Sequence, residues 1–265
     1  MKTFYYVHTG HRIGLDRFRR ACAIIKSLGD VDITLLCSDF RIAQIAKDFG
    51  VKNAVGIDVV RNIPQISHHG DRLIFDSDEA NPIMLEDMKS YFSTFIQIKE
   101  NDVAVDETFF TKSEKTIKLS FFFGDDDYEK DLEKNLSFLD GLEVDLQLGF
   151  YYFLDYEDTL KEKFKNYHEF EDYEEMIKQT EVLITSSPQA VLESLATGGK
   201  PIYFQREDYT SEFKEVFEKL NIPIIDNYDN KQLLQLLENI KNHNYNNLAE
   251  NSNKIENFIK NNLNF

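Results

Sequence analysis

The stretch that most limits what this chain can fold into is Thr180–Phe204, TEVLITSSPQAVLESLATGGKPIYF. Leu183 and Ile184 start it as a buried strand, and Thr185, Ser186 and Ser187 follow as a polar turn. Ser187 suits a helix N-cap and Pro188 the first helical position, where a missing N–H costs no hydrogen bond. Gly198 and Gly199 stop the helix and Pro201 opens the next strand. Such a strand–helix–strand run implies a parallel sheet, since a parallel neighbour is reached only by a crossover. Two readings fit the turn. Hydroxyls feeding a helix N-terminus offer amides and a dipole to an anion, with Glu193 further along the helix. The same pattern also serves as a plain crossover carrying a surface Glu.

The rest of the chain repeats the alternation. Phe4 to Val7 reads as a strand, HTGHRIG as a loop, and LDRFRRACAIIKSLG as an amphipathic helix with Leu15, Phe18, Cys22, Ile25 and Leu28 on one face. Strands are expected at Val31–Leu36, Val51–Ile57, Arg72–Phe75 and Phe92–Ile98, with helices at Arg41–Phe49 and Pro82–Tyr91. Lys99 to Ser113 is polar and without period, which marks a boundary. Beyond it come strands at Thr116–Phe123 and Leu142–Phe150, and helices at Tyr128–Leu139, Asp158–Phe164 and Tyr173–Gln179. After the opening stretch come a helix at Ser211–Leu220, a strand at Ile222–Ile225 and closing helices at Lys231–Ile240 and Leu248–Leu263, joined by an exposed Asn-rich connection from Asn242 to Asn253. The pattern predicts an α/β chain of two Rossmann-like domains, 1–110 and 111–265, facing a cleft. In such sheets ligands bind beyond the carboxyl ends of the strands. The loops HTGHRIG, FGDDD and TSSPQ meet that condition.

Composition narrows the partners. The formal net charge of −17 over 265 residues argues against nucleic acid, whose backbone needs a basic surface. A small anionic ligand sees only local charge and stays open. Cys22 and Cys37 lack metal-ligand spacing and are expected as reduced thiols. No segment has the length of a membrane span and no signal peptide is evident, which predicts a soluble, cytoplasmic protein.

The run YEEMIKQTEVLITSSPQAVLESLATGGKPIYF resembles the C-terminal nucleotide-sugar signature of two-domain GT-B enzymes, in particular the UDP-sugar hydrolase of pseudaminic-acid biosynthesis and the lipid II-forming N-acetylglucosaminyltransferase. The matching parts are Met176, the strand to Ile184, Ser186 and Ser187, Glu193, and Gly199 with Pro201. The resemblance is specific over about 30 residues around Glu193 and looser elsewhere. It implies that the turn at Ser186, Ser187 and Gln189 holds a diphosphate, that Glu193 binds ribose hydroxyls, and that Gly124 lets the backbone approach the nucleotide. It further implies a UDP-sugar as substrate with no cofactor and no metal, a glycan or sugar acceptor, transfer or hydrolysis as the reaction, and surface- or flagellar-glycan biosynthesis as the setting. The hydrolases carry G-x-G-H-x-x-R after their first strand. Two alignments are possible: matching Gly10 and His11 keeps a His but shifts the helix register, whereas the favoured match of Gly14 and Arg20 puts Asp16 at the second Gly and Arg17 at the catalytic His, so His11 or His8 would have to replace it. A relative that keeps the nucleotide pocket but has lost the chemistry is the alternative.

Catalytic candidates are therefore His11, Asp16 and Arg17, with Gly14, Arg20, Gly124, Ser186, Ser187, Gln189 and Glu193 as substrate contacts. His is the side chain best suited to proton transfer near neutral pH, and Arg to clamping phosphate or carboxylate. Each also has an ordinary reading, as a loop histidine or a solvated basic helix face. Asp125–Asp127 are expected to cap a helix, a metal being the lesser reading. Asp76, Asp78 and Glu79 are expected as surface acids.

Overall fold

The computed structural model describes residues 1–248 and 254–263. Its first sheet grows from β1 (Thr3–Val7), whose five residues are all buried. Parallel neighbours β2 (Ile33–Cys37), β3 (Asn53–Gly56), β4 (Arg72–Asp76) and β5 (Thr94–Gln97) complete the order β3-β2-β1-β4-β5. The connecting helices are α1 (Asp16–Ser27), α2 (Phe40–Ile45), α3 (Ile63–Ile66) and α4 (Pro82–Tyr91). The expected face of α1 is the buried one: Phe18, Cys22 and Ile25 lie in the core with Leu15 and Leu28 at its ends. Order reverses between β1 and β4, where Val7 pairs with Asp76.

The second sheet has the order β11-β10-β9-β6-β7-β8, again all parallel. Its strands are β6 (Ile117–Phe122), β7 (Asp145–Gln147), β8 (Tyr167–His168), β9 (Thr180–Thr185), β10 (Lys200–Phe204) and β11 (Ile224–Ile225). Between them run α5 (Asp131–Lys134), α6 (Leu154–Lys163), α7 (Tyr173–Gln179), α8 (Pro188–Ala196), α9 (Lys214–Leu220) and α10 (Asn230–Asn239). Counted in chain order the reversal again falls between the first and fourth strands, β6 and β9. Phe121, Phe123, Phe138 and Phe204 centre its core. Gly198 ends α8 at φ +77°, while Gly199 passes so close to Ser194 that a Cβ would stand 2.6 Å from its hydroxyl.

Both sheets are Rossmann-like, as the alternation predicts, and the differences are local. The helix expected over Tyr128–Leu139 breaks into α5 and a 3-10 turn at Leu136–Leu139. Lys130 adopts a left-handed conformation, and Asp127 caps the amides of Asp131 and Leu132 at 2.7 and 3.0 Å, so the helix begins late. β7 is shorter than the apolar run, α6 begins before Asp158, and β8 had no apolar signal at all. The chain divides after Glu107, and the last helix, α11 (Lys254–Leu263), packs on α1 and β5 of the first unit. A contiguous second domain of 111–265 misplaces that helix: Ile255, Ile259 and Leu263, four apart on one face, are buried there. Leu248, the expected start of the closing helix, is buried but lies in a bend rather than a helix, and the end of the Asn-rich connection falls on 249–253, outside the described residues.

Candidate functional site

In the second unit the opening stretch forms as its residues dictate. Ser187 is the N-cap of α8, its hydroxyl accepting from the Ala190 amide at 3.0 Å, and Pro188 holds the first helical position. The Ser187 amide donates to the Thr185 hydroxyl at 3.0 Å. Ser186 donates its hydroxyl to the carbonyl of Phe123, tying the end of β9 to the end of β6. Ser186, Ser187, Gln189 and Glu193 are all buried. The surface-Glu reading fails for Glu193, which is 2% exposed. Tyr173 donates to one carboxylate oxygen at 2.6 Å and Gln189 to the other at 2.9 Å. Hydrogen bonds of this kind hold a carboxylate in one orientation.

Beside this turn lies Gly124, at φ +131°, a conformation that side chains rarely adopt. Three buried carboxylates follow, each with its own partner. Asp125 accepts from the Phe150 amide at 3.4 Å, Asp126 pairs with Arg206, and Asp127 caps α5 and accepts from Tyr156 at 2.5 Å. The cap reading of the Asp run thus holds for Asp127. Among the described residues no three His, Cys, Asp or Glu side chains converge as a metal site.

In the first unit charged groups gather beyond β1 and β4. Arg20, on the first turns of α1, grips Asp76 through two nitrogens at 2.6 and 3.1 Å. Its Nη1 also donates to the carbonyls of Glu100 and Asp102, at 2.5 and 3.0 Å. Tyr5 donates to Asp76 at 3.0 Å. Arg17 donates to Glu100 at 2.6 Å and to Asp78 at 3.0 Å. Arg17, expected as a catalytic residue, and Arg20, expected as a substrate contact, are therefore occupied by carboxylates of their own unit. Asp76 is not a surface acid but the buried partner of Arg20.

His8 follows β1 directly, and its Nδ1 lies 2.7 Å from Asp78 Oδ1. Its Nε2 stands 4.0 Å from Glu79, which Tyr6 and Ser77 hold. Hydrogen bonding from His8 and the charge of Arg17 outweigh partial burial and keep Asp78 well below the usual carboxylate range. The other named residues are placed differently. His11 is exposed and lies 3.3 Å from the Arg41 guanidinium. Gly14 donates its amide to Gly10 at 2.9 Å, closing the HTGHRIG loop on itself, and Asp16 begins α1. Histidine after one strand and acids after another were visible in the sequence; their pairing, across 70 residues, was not.

No family model and no curated protein matches this sequence. Solved structures do match its fold along nearly the whole chain. UDP-GlcNAc 2-epimerase from Methanocaldococcus jannaschii, in complex with UDP-GlcNAc and UDP, gives a TM-score of 0.62 at 11% identity, covering 98% of this chain and 99% of that one. The chain has the GT-B fold. S. aureus MnaA, solved with UDP, matches with a TM-score of 0.56 at 11% identity over 100% of this chain and 97% of that one. The glycosyltransferase SnogD from Streptomyces nogalater matches at 0.53 and 11% over 90% of each chain. At these identities the likeness is one of fold. Within a GT-B fold, the turn at Ser186–Ser187 stands at the reversal point of its sheet, where α/β sheets take ligands.

Proposed function

We propose that this protein is a cytoplasmic nucleotide-sugar enzyme that cleaves a UDP-sugar and passes the glycosyl group to a hydroxyl acceptor, a sugar or glycan, or to water. The observation that carries the proposal is Glu193. A carboxylate 2% exposed, held by two hydrogen bonds on the helix after the reversal-point turn, has the chemistry to receive ribose hydroxyls. It does so in a fold shared over 98% of the chain with an epimerase solved with UDP-GlcNAc and UDP. The amides at the start of α8 would face the diphosphate. The UDP-sugar is itself the substrate, and the reaction calls on no cofactor.

His8 is the base that this reading favours. With Nδ1–H donated to Asp78, Nε2 keeps its lone pair. It would take the proton of the incoming hydroxyl as that oxygen bonds to the anomeric carbon. The bond from that carbon to the diphosphate oxygen breaks, its electron pair leaving on UDP, where dipoles offset the growing charge. His11, Asp16 and Arg17, the candidates from the sequence, would then serve the acceptor side. Glycan biosynthesis is the setting implied by the sequence resemblance. Arg17, standing where the related hydrolases carry their His, favours a second reading in which the pocket binds but does not turn over.

Incubation with a panel of UDP-sugars, followed by UDP release, separates the two. The proposal expects turnover that falls about 100-fold or more in His8→Ala, the scale of lost general-base catalysis, with UDP affinity kept. Binding of UDP without release from any UDP-sugar supports the inactive relative.

A further inference from the structure

The carboxyl edge of the second sheet holds a guanidinium that its sequence context did not single out. Arg206, just past β10, is 3% exposed and lies between two rings, its Cζ 4.4 Å from the Phe123 centroid and 4.2 Å from that of Tyr209. Nη2 is 3.2 Å from the carboxylate of Asp126, itself 1% exposed, and Nη1 donates to the Asp126 carbonyl at 2.9 Å. Tyr209 donates to the same carboxylate at 2.5 Å. Sheet order makes this contact informative. β9 stands between β10 and β6, so a bond from residue 206 to residue 126 must cross the carboxyl end of β9, where Ser186 and Ser187 turn into α8. Ser186 bonds the carbonyl of Phe123, the residue whose ring carries the guanidinium. A Cβ on Gly124 would sit 3.4 Å from Nη1. Arg206 and Tyr209 thus lie over the backbone that the nucleotide would approach.

Burying an ion pair costs several kcal/mol in desolvation, and apolar residues of similar volume often hold a fold as well or better. The pair is also unbalanced. Asp208, half-exposed, takes the other side of Arg206 at 2.6 and 2.9 Å, giving two carboxylates to one guanidinium. Burial raises the Asp126 pKa and is only partly offset by Arg206, so this carboxylate sheds its charge more readily than an ordinary one.

We propose that Asp126 holds the place of the ligand's diphosphate: on binding, Arg206 exchanges Asp126 for the diphosphate and carries the charge of the departing UDP. This rests on the nucleotide-sugar reading. It makes Arg206 the arginine for the leaving group, the role for which α1 offered Arg17 and Arg20, and Asp126 a built-in competitor.

Calorimetric titration of UDP and of uridine into the wild type, Asp126→Asn and Arg206→Met tests the exchange, with thermal midpoints to verify folding. Asp126→Asn keeps the backbone carbonyl that Arg206 bonds and removes only the competing charge. The exchange predicts UDP affinity raised in Asp126→Asn and lowered in Arg206→Met, each by about tenfold, the scale of one charged hydrogen bond. Uridine, which lacks the diphosphate, should bind all three alike. A merely structural pair instead weakens UDP and uridine together in both variants, and that result overturns the exchange. If Arg206→Met does not fold, the sign of the change in Asp126→Asn decides. If the wild type binds uridine but UDP no more tightly, the exchange fails while the nucleoside site stands; if it binds neither, the nucleotide-sugar reading fails and the exchange with it.

Discussion

Each unit places a buried arginine–aspartate pair beside the point where its sheet reverses, and the two pairs are built differently. Arg20 is surrounded by fixed acceptors: the Asp76 carboxylate and the carbonyls of Glu100 and Asp102, with Tyr5 completing Asp76. Arg206 has one carbonyl, a carboxylate that Tyr209 shares, a half-exposed Asp208, and otherwise two aromatic faces. Backbone carbonyls are set by the fold and give a guanidinium nowhere else to go. Ring faces hold its plane while leaving its edge able to change partners. The first pair therefore reads as a tie within the fold, and the second as a contact that a ligand can replace.

The largest effect that would break this contrast is in the first unit. Arg20→Met leaves Asp76 buried without its countercharge and should cost about 3–5 kcal/mol of stability by urea unfolding, the scale for breaking a buried pair. A loss below about 1 kcal/mol would mean that Arg20 is as replaceable as Arg206. A smaller effect sharpens the contrast by pH. Asp78 has a depressed pKa in the fold, from the His8 hydrogen bond first and then Arg17. Its stabilising contribution is therefore present above the unfolded carboxylate value of about 3.9 and is lost as pH falls below it. Asp78→Asn should flatten the acid limb of the stability profile below about pH 4, and only slightly, because the side chain is 57% exposed. An unchanged acid limb would detach His8 and Arg17 from Asp78.

What could be seen in the sequence followed from local chemistry. The Ser187 cap, the Pro188 start, the double-glycine stop and the buried face of α1 each depend on neighbours within a few residues, and each formed as expected. The alternation of strands and helices sufficed for two Rossmann-like units. What stayed hidden depends on distant partners. Arg20 looks like a free basic residue until Asp76, 56 positions later, is folded against it. Arg206 meets Asp126 across the end of β9, which pairs with both their strands, an order that no local pattern announces. The burial of Glu193 depends in the same way on Tyr173, at the start of the preceding helix. The last helix carries an apolar face, but nothing in that face says which sheet it covers.

The central claim is that the helix after the reversal-point turn of the second unit holds a uridine nucleotide through Glu193. Calorimetric titration of UDP into the wild type and into Glu193→Gln, which keeps the shape of the side chain and removes its charge, tests it most directly. Saturable binding that weakens about tenfold or more in the variant, with the folded state intact by circular dichroism, is the predicted result. Equal affinity in both proteins, or no heat of binding in the wild type, would contradict it.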